Sequence, residues 1–266
     1  MKKLLFNGCS YTAGDELVWD TYCKEELGYE VKWSNWNGAG KNVDYTIYNG
    51  YKVYRKQFNL GGQCALLCGT ETIELAADGY SNAGIAITTI NYLLSLTPDE
   101  RKNIHVCIGW TVAERRLVWK NDDTGFINVH HQHIELPGRE DLYSFIRGAI
   151  IDRSDFDHLL DYVSQVMLLE NFLKANGITY TFWRSLGIIT EPIKTFNLTL
   201  SINDKISNNE NWIKFNDDYK LVINGNAWSH YMDIDNFISE KNKHPNLKTV
   251  TDFSTKIADH ILSHSN

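Results

Sequence analysis

Leu4-Leu5-Phe6-Asn7-Gly8-Cys9-Ser10-Tyr11-Thr12-Ala13-Gly14-Asp15-Glu16-Leu17 is the stretch that decides the fold. A short apolar run ends in Asn-Gly, presents one serine, and meets a second glycine four residues after it. Gly8 lets the chain leave a strand sharply, and Gly14 tolerates angles or close approaches that a side chain forbids. Read as strand, turn and helix, the stretch sets the Ser10 hydroxyl at the carboxyl end of a strand, where α/β sheets place their ligands. It also lies near a helix N-terminus, whose free N–H groups can stabilise an oxyanion. The spacing differs from the G-x-S-x-G nucleophile elbow, because Thr12 stands two residues after the serine. Two readings stay open on these residues: a nucleophile, and a serine that only caps the helix.

Outward from this turn, residues 21–27 read as a short helix. Residues 29–58 carry Trp33, Trp36, Tyr45, Tyr48, Tyr51 and Tyr54. The alternation over 43–48, then Asn49-Gly50, then 51–54, predicts an inserted aromatic β-hairpin. Thr70–Ala76 is the second strand, followed by an apolar helical pattern through Ile85, Ile90, Leu93 and Leu96 that Pro98 ends. Asn103–Gly109 reads as a buried strand, with a charged helix around Glu114-Arg115-Arg116 and an irregular polar stretch over 119–142. A long amphipathic helix is predicted over 154–176, closed by Asn176-Gly177. Residues 178–183 form the next strand. Helical segments near 205–215 and 231–240 and a last helix over 251–262 complete the chain. The alternation of strands and helices predicts an α/β fold with a parallel sheet covered on both faces. One domain over 1–266 is expected, with insertions at about 29–68 and 119–150.

At 266 residues the chain can bury a sizeable core. A formal charge of −7 argues against a general nucleic-acid binder, which needs a basic face. The five cysteines (Cys9, Cys23, Cys64, Cys68, Cys107) lack a paired C-x-x-C framework and read as reduced thiols. Cys64 and Cys68 sit at helical spacing and suit core packing. The N-terminal apolar run stops at Asn7, short of the ~7–15 residues of a signal-peptide core. No run approaches the ~18–20 apolar residues of a membrane span. A cytoplasmic protein without membrane partners is expected.

Three further positions join Ser10. Gly79, in Asp78-Gly79-Tyr80-Ser81-Asn82, can turn a backbone N–H into a site at a strand end, as an oxyanion hole requires. Read locally, the same residues are a turn and a helix cap. His244, in His244-Pro245-Asn246 before the last helix, is held by a proline and suits a general base. Gly109-Trp110-Thr111 follows the third strand.

Serine at the start, glycine after the second strand and histidine before the terminal helix together resemble the SGNH (GDSL-type) hydrolases. The Gly79-Tyr80-Ser81-Asn82 and Gly109-Trp110-Thr111…Glu114-Arg115 stretches resemble the form of that family seen in tailed phages, for which the host cytoplasm would be the location. The resemblance implies a three-layer α/β/α fold of SGNH/flavodoxin-like type and a serine esterase or acyl hydrolase. Ser10 would be the nucleophile and His244 the base, with Ser10, Gly79 and either Asn82 or Thr111 around the oxyanion. It covers the landmark stretches and the order of strands and helices, but not 29–68 or 119–150.

Two positions depart from the family pattern. The acid of its Asp-x-x-His stretch is replaced by Lys241, which cannot accept an imidazole N–H. Glu240 and Asp235 are then the candidate orienting acids. The Asn of its Gly-x-Asn-Asp stretch is replaced by Thr111. These departures keep a second reading open, a binding or structural protein on the same scaffold without turnover. A third, acyl transfer to an acceptor other than water, uses the same residues. The expected ligand is a small-molecule or carbohydrate ester, and no cofactor is expected. His130, His131 and His133 lack a second ligand cluster, so no metal is expected either. Gly61-Gly62 and Gly38-Ala39-Gly40 lack the lysine and helix of a phosphate loop. Arg115, Arg116 and Arg184 are read as surface-paired.

Overall fold

The computed structural model describes residues 2–14, 17–29, 45–121, 125–129, 143–185, 209–213 and 245–264. In chain order the elements are β1 (Lys3–Gly8), the one-turn α1 (Ser10–Ala13) and α2 (Trp19–Tyr22), which continues as a π turn over Cys23–Leu27. Then come α3 (Tyr45–Arg55), α4 (Leu60–Cys68), β2 (Thr72–Glu74), α5 (Asn82–Leu94), α6 (Pro98–Lys102) and β3 (Ile104–Trp110). The hairpin strands β4 (Arg116–Asn121) and β5 (Gly125–Val129) follow, and then α7 (Tyr143–Ile146), which continues as a π turn over Arg147–Ile151. The chain closes with α8 (Asp155–Ala175), β6 (Thr179–Arg184) and α9 (Leu247–Ser263).

β2, β1, β3 and β6 form one sheet in that order, all parallel, with Gly8 beside Gly109 and Gly109 beside Trp183. Strand alternation sorts the side chains onto two covered faces. Leu5, Val106, Ile108 and Phe182 pack with Ile85 and Leu93 of α5 and Leu159, Leu169 and Leu173 of α8. Leu4, Phe6, Cys107 and Trp183 pack with Leu60 and Cys64 of α4 and Val250, Phe253 and Ile257 of α9. The protein is therefore α/β, with helices on both sides of a parallel sheet. Each such fully buried side chain contributes roughly 1.5–3 kcal/mol. No helix among the described residues is long and apolar enough to cross a membrane.

Local chemistry accounts for the helix ends. Ser154 and Asp157 make a capping box at α8, as Thr97 and Glu100 do at α6. Pro98 stands at the start of α6, where its missing N–H is harmless, so it opens a second helix as well as closing the first.

Three expectations are corrected. Residues 45–55 are helical, not a β-hairpin, and 30–44 lie outside the described residues. Ile47, Tyr51 and Tyr54 recur at helical spacing and pack with Trp19, Tyr22 and Cys23. Tyr51 meets Trp19 edge-on at 4.8 Å between ring centres. Gly50 is a packing residue rather than a turn, because a Cβ there would overlap the Tyr22 hydroxyl, which donates to Ile47 O at 3.1 Å.

The charged helix around Glu114 is instead a turn leading into the antiparallel pair β4–β5, which also fills part of the stretch read as irregular. Arg116 is drawn out of helical spacing by distant partners. Its guanidinium donates to Ala113 O and to His158 Nδ1 and pairs with Asp161 at 3.2 Å. The described part of the expected helix near 205–215 is a turn followed by a bridge from Trp212 to Phe182. Residues 231–240 lie outside the described residues.

Candidate active site

Chain order fixes where the sheet opens. β1 is followed on one side by β2, and the chain then crosses to the other side to add β3. The carboxyl ends of β1 and β3 therefore flank a topological switch point, the place where open α/β sheets bind ligands.

Ser10 stands at that point. Cys9 is extended and caps α1, and its carbonyl receives the N–H groups of Thr12 at 2.9 Å and Ala13 at 3.0 Å. Gly14 closes the turn at φ 73°, where a side chain would be strained and where a Cβ would lie 3.0 Å from Asn59 Cβ. Ser10 is buried, at 3 % exposure, yet its hydroxyl donates to and accepts from no described residue. Its N–H is at the first position of the helix, where no carbonyl of the helix can receive it.

The strand beside β1 brings the next candidate. Leu75 N–H donates to Phe6 O at 2.8 Å and Ala77 N–H to Gly8 O at 3.2 Å, so the chain leaving β2 runs along β1 to its end. Gly79 follows in a turn at φ 72° with open space where a side chain would be. The helix cap that follows is Ser81, whose hydroxyl accepts the Gly84 N–H at 3.1 Å.

Asn82 and Thr111 meet directly. Asn82 Oδ1 accepts the Thr111 N–H at 2.9 Å, and its Nδ2 donates to Thr111 O at 3.2 Å and Val112 O at 3.1 Å. The Asn82 amide nitrogen is thus engaged by two backbone carbonyls. It clamps the chain leaving β3. The Thr111 hydroxyl is buried and has no partner among the described residues.

His244, Glu240, Asp235 and Lys241 lie outside the described residues, as do His130, His131 and His133. The described chain resumes at Pro245, which is buried, and Asn246, which caps α9 by accepting the Thr249 N–H at 3.0 Å. α9 runs antiparallel to the strands. Phe253 packs edge-on against Trp183 near the strand ends, while His260 and His264 lie close enough to His105 near the strand starts to disfavour its charge. The N-terminus of α9 is therefore at the same edge of the sheet as Ser10.

Several residues that sequence reading did not single out shape this edge. Asn7 lies in β1, not in an Asn-Gly turn. It is fully buried, accepts the Gly8 N–H, and donates to Ile85 O, Thr88 and Thr89 of α5. Glu74 ends β2. Its carboxylate accepts from Ala76 N–H at 3.0 Å and Asn59 Nδ2 at 3.1 Å, and burial holds its pKa up at about 8 despite those bonds and the Arg55 charge. Asn59 in turn caps α4 and reaches Ala13 O at 3.4 Å, so it links Glu74 to α1. Arg184 is buried at the end of β6 rather than on the surface.

The five cysteines are all buried, and none is in a disulfide. Burial raises the thiol pKa of Cys64 and Cys107, which suits core residues. Among the described residues no three His, Cys, Asp or Glu side chains are grouped to hold a metal ion.

These features define an α/β protein with a polar site at the switch point of a parallel sheet. No protein-family model matches the chain, and no curated protein matches it significantly.

Proposed function

We propose that the protein is an SGNH-type serine hydrolase that cleaves an ester or O-acyl group, with acylated carbohydrate as the first substrate class to test. The observation that carries this reading is Ser10, a buried serine at the switch point whose hydroxyl is engaged by no described residue. A serine that served only as a cap would accept a backbone N–H, as Ser81 and Ser154 do.

Ser10 Oγ attacks the acyl carbon while His244 takes its proton, and the carbonyl oxygen becomes an oxyanion. The N–H groups of Ser10 and Gly79 and the hydroxyl of Thr111 are its donors, Thr111 being favoured over Asn82 because its hydroxyl is uncommitted. The leaving alcohol receives the proton from His244. Water, deprotonated by the same imidazole, then attacks the acyl-enzyme and releases the acid and the free serine. His244 immediately precedes Pro245, at the Ser10 edge of the sheet, which supports its pairing with Ser10. Glu240 or Asp235 would orient the imidazole.

A fluorophosphonate probe tests this. Wild type should label and Ser10→Ala should not; equal labelling of the two sinks the assignment. A binding protein on the same scaffold is the second reading, favoured by the two carbonyls that engage the Asn82 amide nitrogen and by Lys241 at the family's acid position. It predicts no labelling of wild type. Acyl transfer is distinguished from hydrolysis by analysing products with an added alcohol acceptor.

A further inference from the structure

One cluster at the carboxyl edge is left unexplained by the reaction above. Among the described residues, Thr12 Oγ1, Trp183 Nε1 and Ser185 Oγ are buried side-chain atoms with no hydrogen-bond partner, and all three residues are fully buried. They converge. A Cβ built on Gly109 would lie 2.5 Å from Thr12 Oγ1 and 2.9 Å from Trp183 Nε1, with Ser185 Oγ closer still. A Cβ on Gly8, paired with Gly109 across β1 and β3, would overlap Thr12 Oγ1. Two hydroxyls and an indole N–H thus meet over two adjacent glycines on the α4–α9 side of the sheet.

Buried polar groups are nearly always paired, so three orphans at one point call for a shared partner. That partner is small, because none of the three residues is exposed. It must accept from the indole N–H, which is donor only, and exchange bonds with two hydroxyls. A water molecule fits this description, since buried waters typically make about three hydrogen bonds.

We propose that Thr12, Trp183 and Ser185 hold one buried water molecule that fixes the Ser10 turn against β6. α1 is a single turn of four residues, too short to hold itself in water. Its orientation comes from ties to other elements, such as Asn59 Nδ2 to Ala13 O and Tyr51 to the carbonyls of Gly14 and Leu17. Those ties lie at the C-terminal end of the turn. Thr12 is in the middle of it, and the water links it across β3 to Trp183 of β6 and to Ser185 just beyond that strand. The glycines at 8 and 109 leave the room for this arrangement. Thr12, Trp183 and Ser185 are positioning residues; none is assigned a place among the reacting atoms.

The water site stands on its own, whereas the positioning role rests on Ser10 being the nucleophile, so the test reads them separately. A high-resolution crystal structure of the wild type should show ordered density within hydrogen-bond distance of all three atoms, and the Trp183 indole N–H should show an NMR cross-peak to water. Absence of both overturns the site. Thr12→Val keeps the shape and removes the hydroxyl, and Ser185→Ala removes the hydroxyl at the residue after β6. Each should slow fluorophosphonate labelling of Ser10 at least tenfold at temperatures where the variant is fully folded, with Thr12→Ser restoring the rate. Lowered melting temperatures with unchanged labelling would overturn the positioning role. A wild type with the water but no labelling would overturn it together with the hydrolase reading, and would leave the water site in place.

Discussion

Asn82 Oδ1 accepts the Thr111 N–H at 2.9 Å, so the first residue of α5 is tied to the exit of β3. The same side chain donates to two carbonyls, and it is 3 % exposed. Asn82→Ala would leave one N–H and two carbonyls without partners. An unpaired buried group costs ~1–3 kcal/mol, and partial rearrangement limits the sum, so a loss of about 2–4 kcal/mol is expected. Urea unfolding measures it, and a loss below about 1 kcal/mol would show that the clamp is not needed.

Gly50 and Tyr22 give a second, sharper test. Alanine is favoured over glycine inside a helix by about 1 kcal/mol, so Gly50→Ala ought to stabilise α3 on propensity alone. The Tyr22 hydroxyl occupies the space a Cβ needs, and displacing it breaks its bond to Ile47 O. Gly50→Ala should therefore destabilise the wild type and become neutral or stabilising in a Tyr22→Phe background. The coupling from the double-mutant cycle is the measurement. Additive effects would mean that α3 does not pack on Tyr22.

This pair also explains what the sequence could and could not tell. β1, β3, α8 and α9 were legible because their apolar periods match one kind of element and their caps are local. The helical stretch around Gly50 read as a hairpin because Asn-Gly is a turn signal unless something far away needs the missing side chain. That something, Tyr22, lies in another element. The β4–β5 pair was hidden for the same reason, since Arg116 is organised by His158 and Asp161 on α8. The positions of Ser10 and Thr111 just beyond the ends of β1 and β3 were legible because those strands are apolar runs closed by a local change of pattern. Thr12, Trp183 and Ser185 were not, because only the fold brings them together.

Stability should depend on pH through two groups of opposite sign, the half-buried Glu74 and the buried His105. Burial pushes the Glu74 carboxyl from the ordinary 4.5 up to about 8. The folded chain then holds a proton that the unfolded chain has lost, so this contribution is full below about pH 4.5 and is lost as pH rises through 8. His105, set between the Thr179 and Thr181 hydroxyls, is pulled from 6.5 down to about 3, chiefly by burial. Its contribution is present above pH 6.5 and lost as pH falls towards 3. Between pH 6.5 and 8 only the Glu74 effect of these two remains, at most ~1.4 kcal/mol per pH unit for one proton. Wild type should lose stability over that window, and Glu74→Gln should flatten the loss. The same slope in both proteins would refute the assignment.

Thr111 separates stability from activity. Its hydroxyl is buried and unpaired among the described residues, which disfavours the folded state, and valine has the same shape without it. Thr111→Val should therefore raise stability by about 1 kcal/mol. A residue kept in this state at the end of a strand is explained if the hydroxyl has a partner only during the reaction. Removing one oxyanion donor costs about 10²–10³-fold in turnover in a serine protease. Labelling of Ser10 by a fluorophosphonate, whose attack builds negative charge on the phosphoryl oxygen, should fall in the same direction. Higher stability with slower labelling supports the donor role of Thr111. Higher stability with unchanged labelling removes Thr111 from the oxyanion site and leaves the N–H groups of Ser10 and Gly79 as its donors.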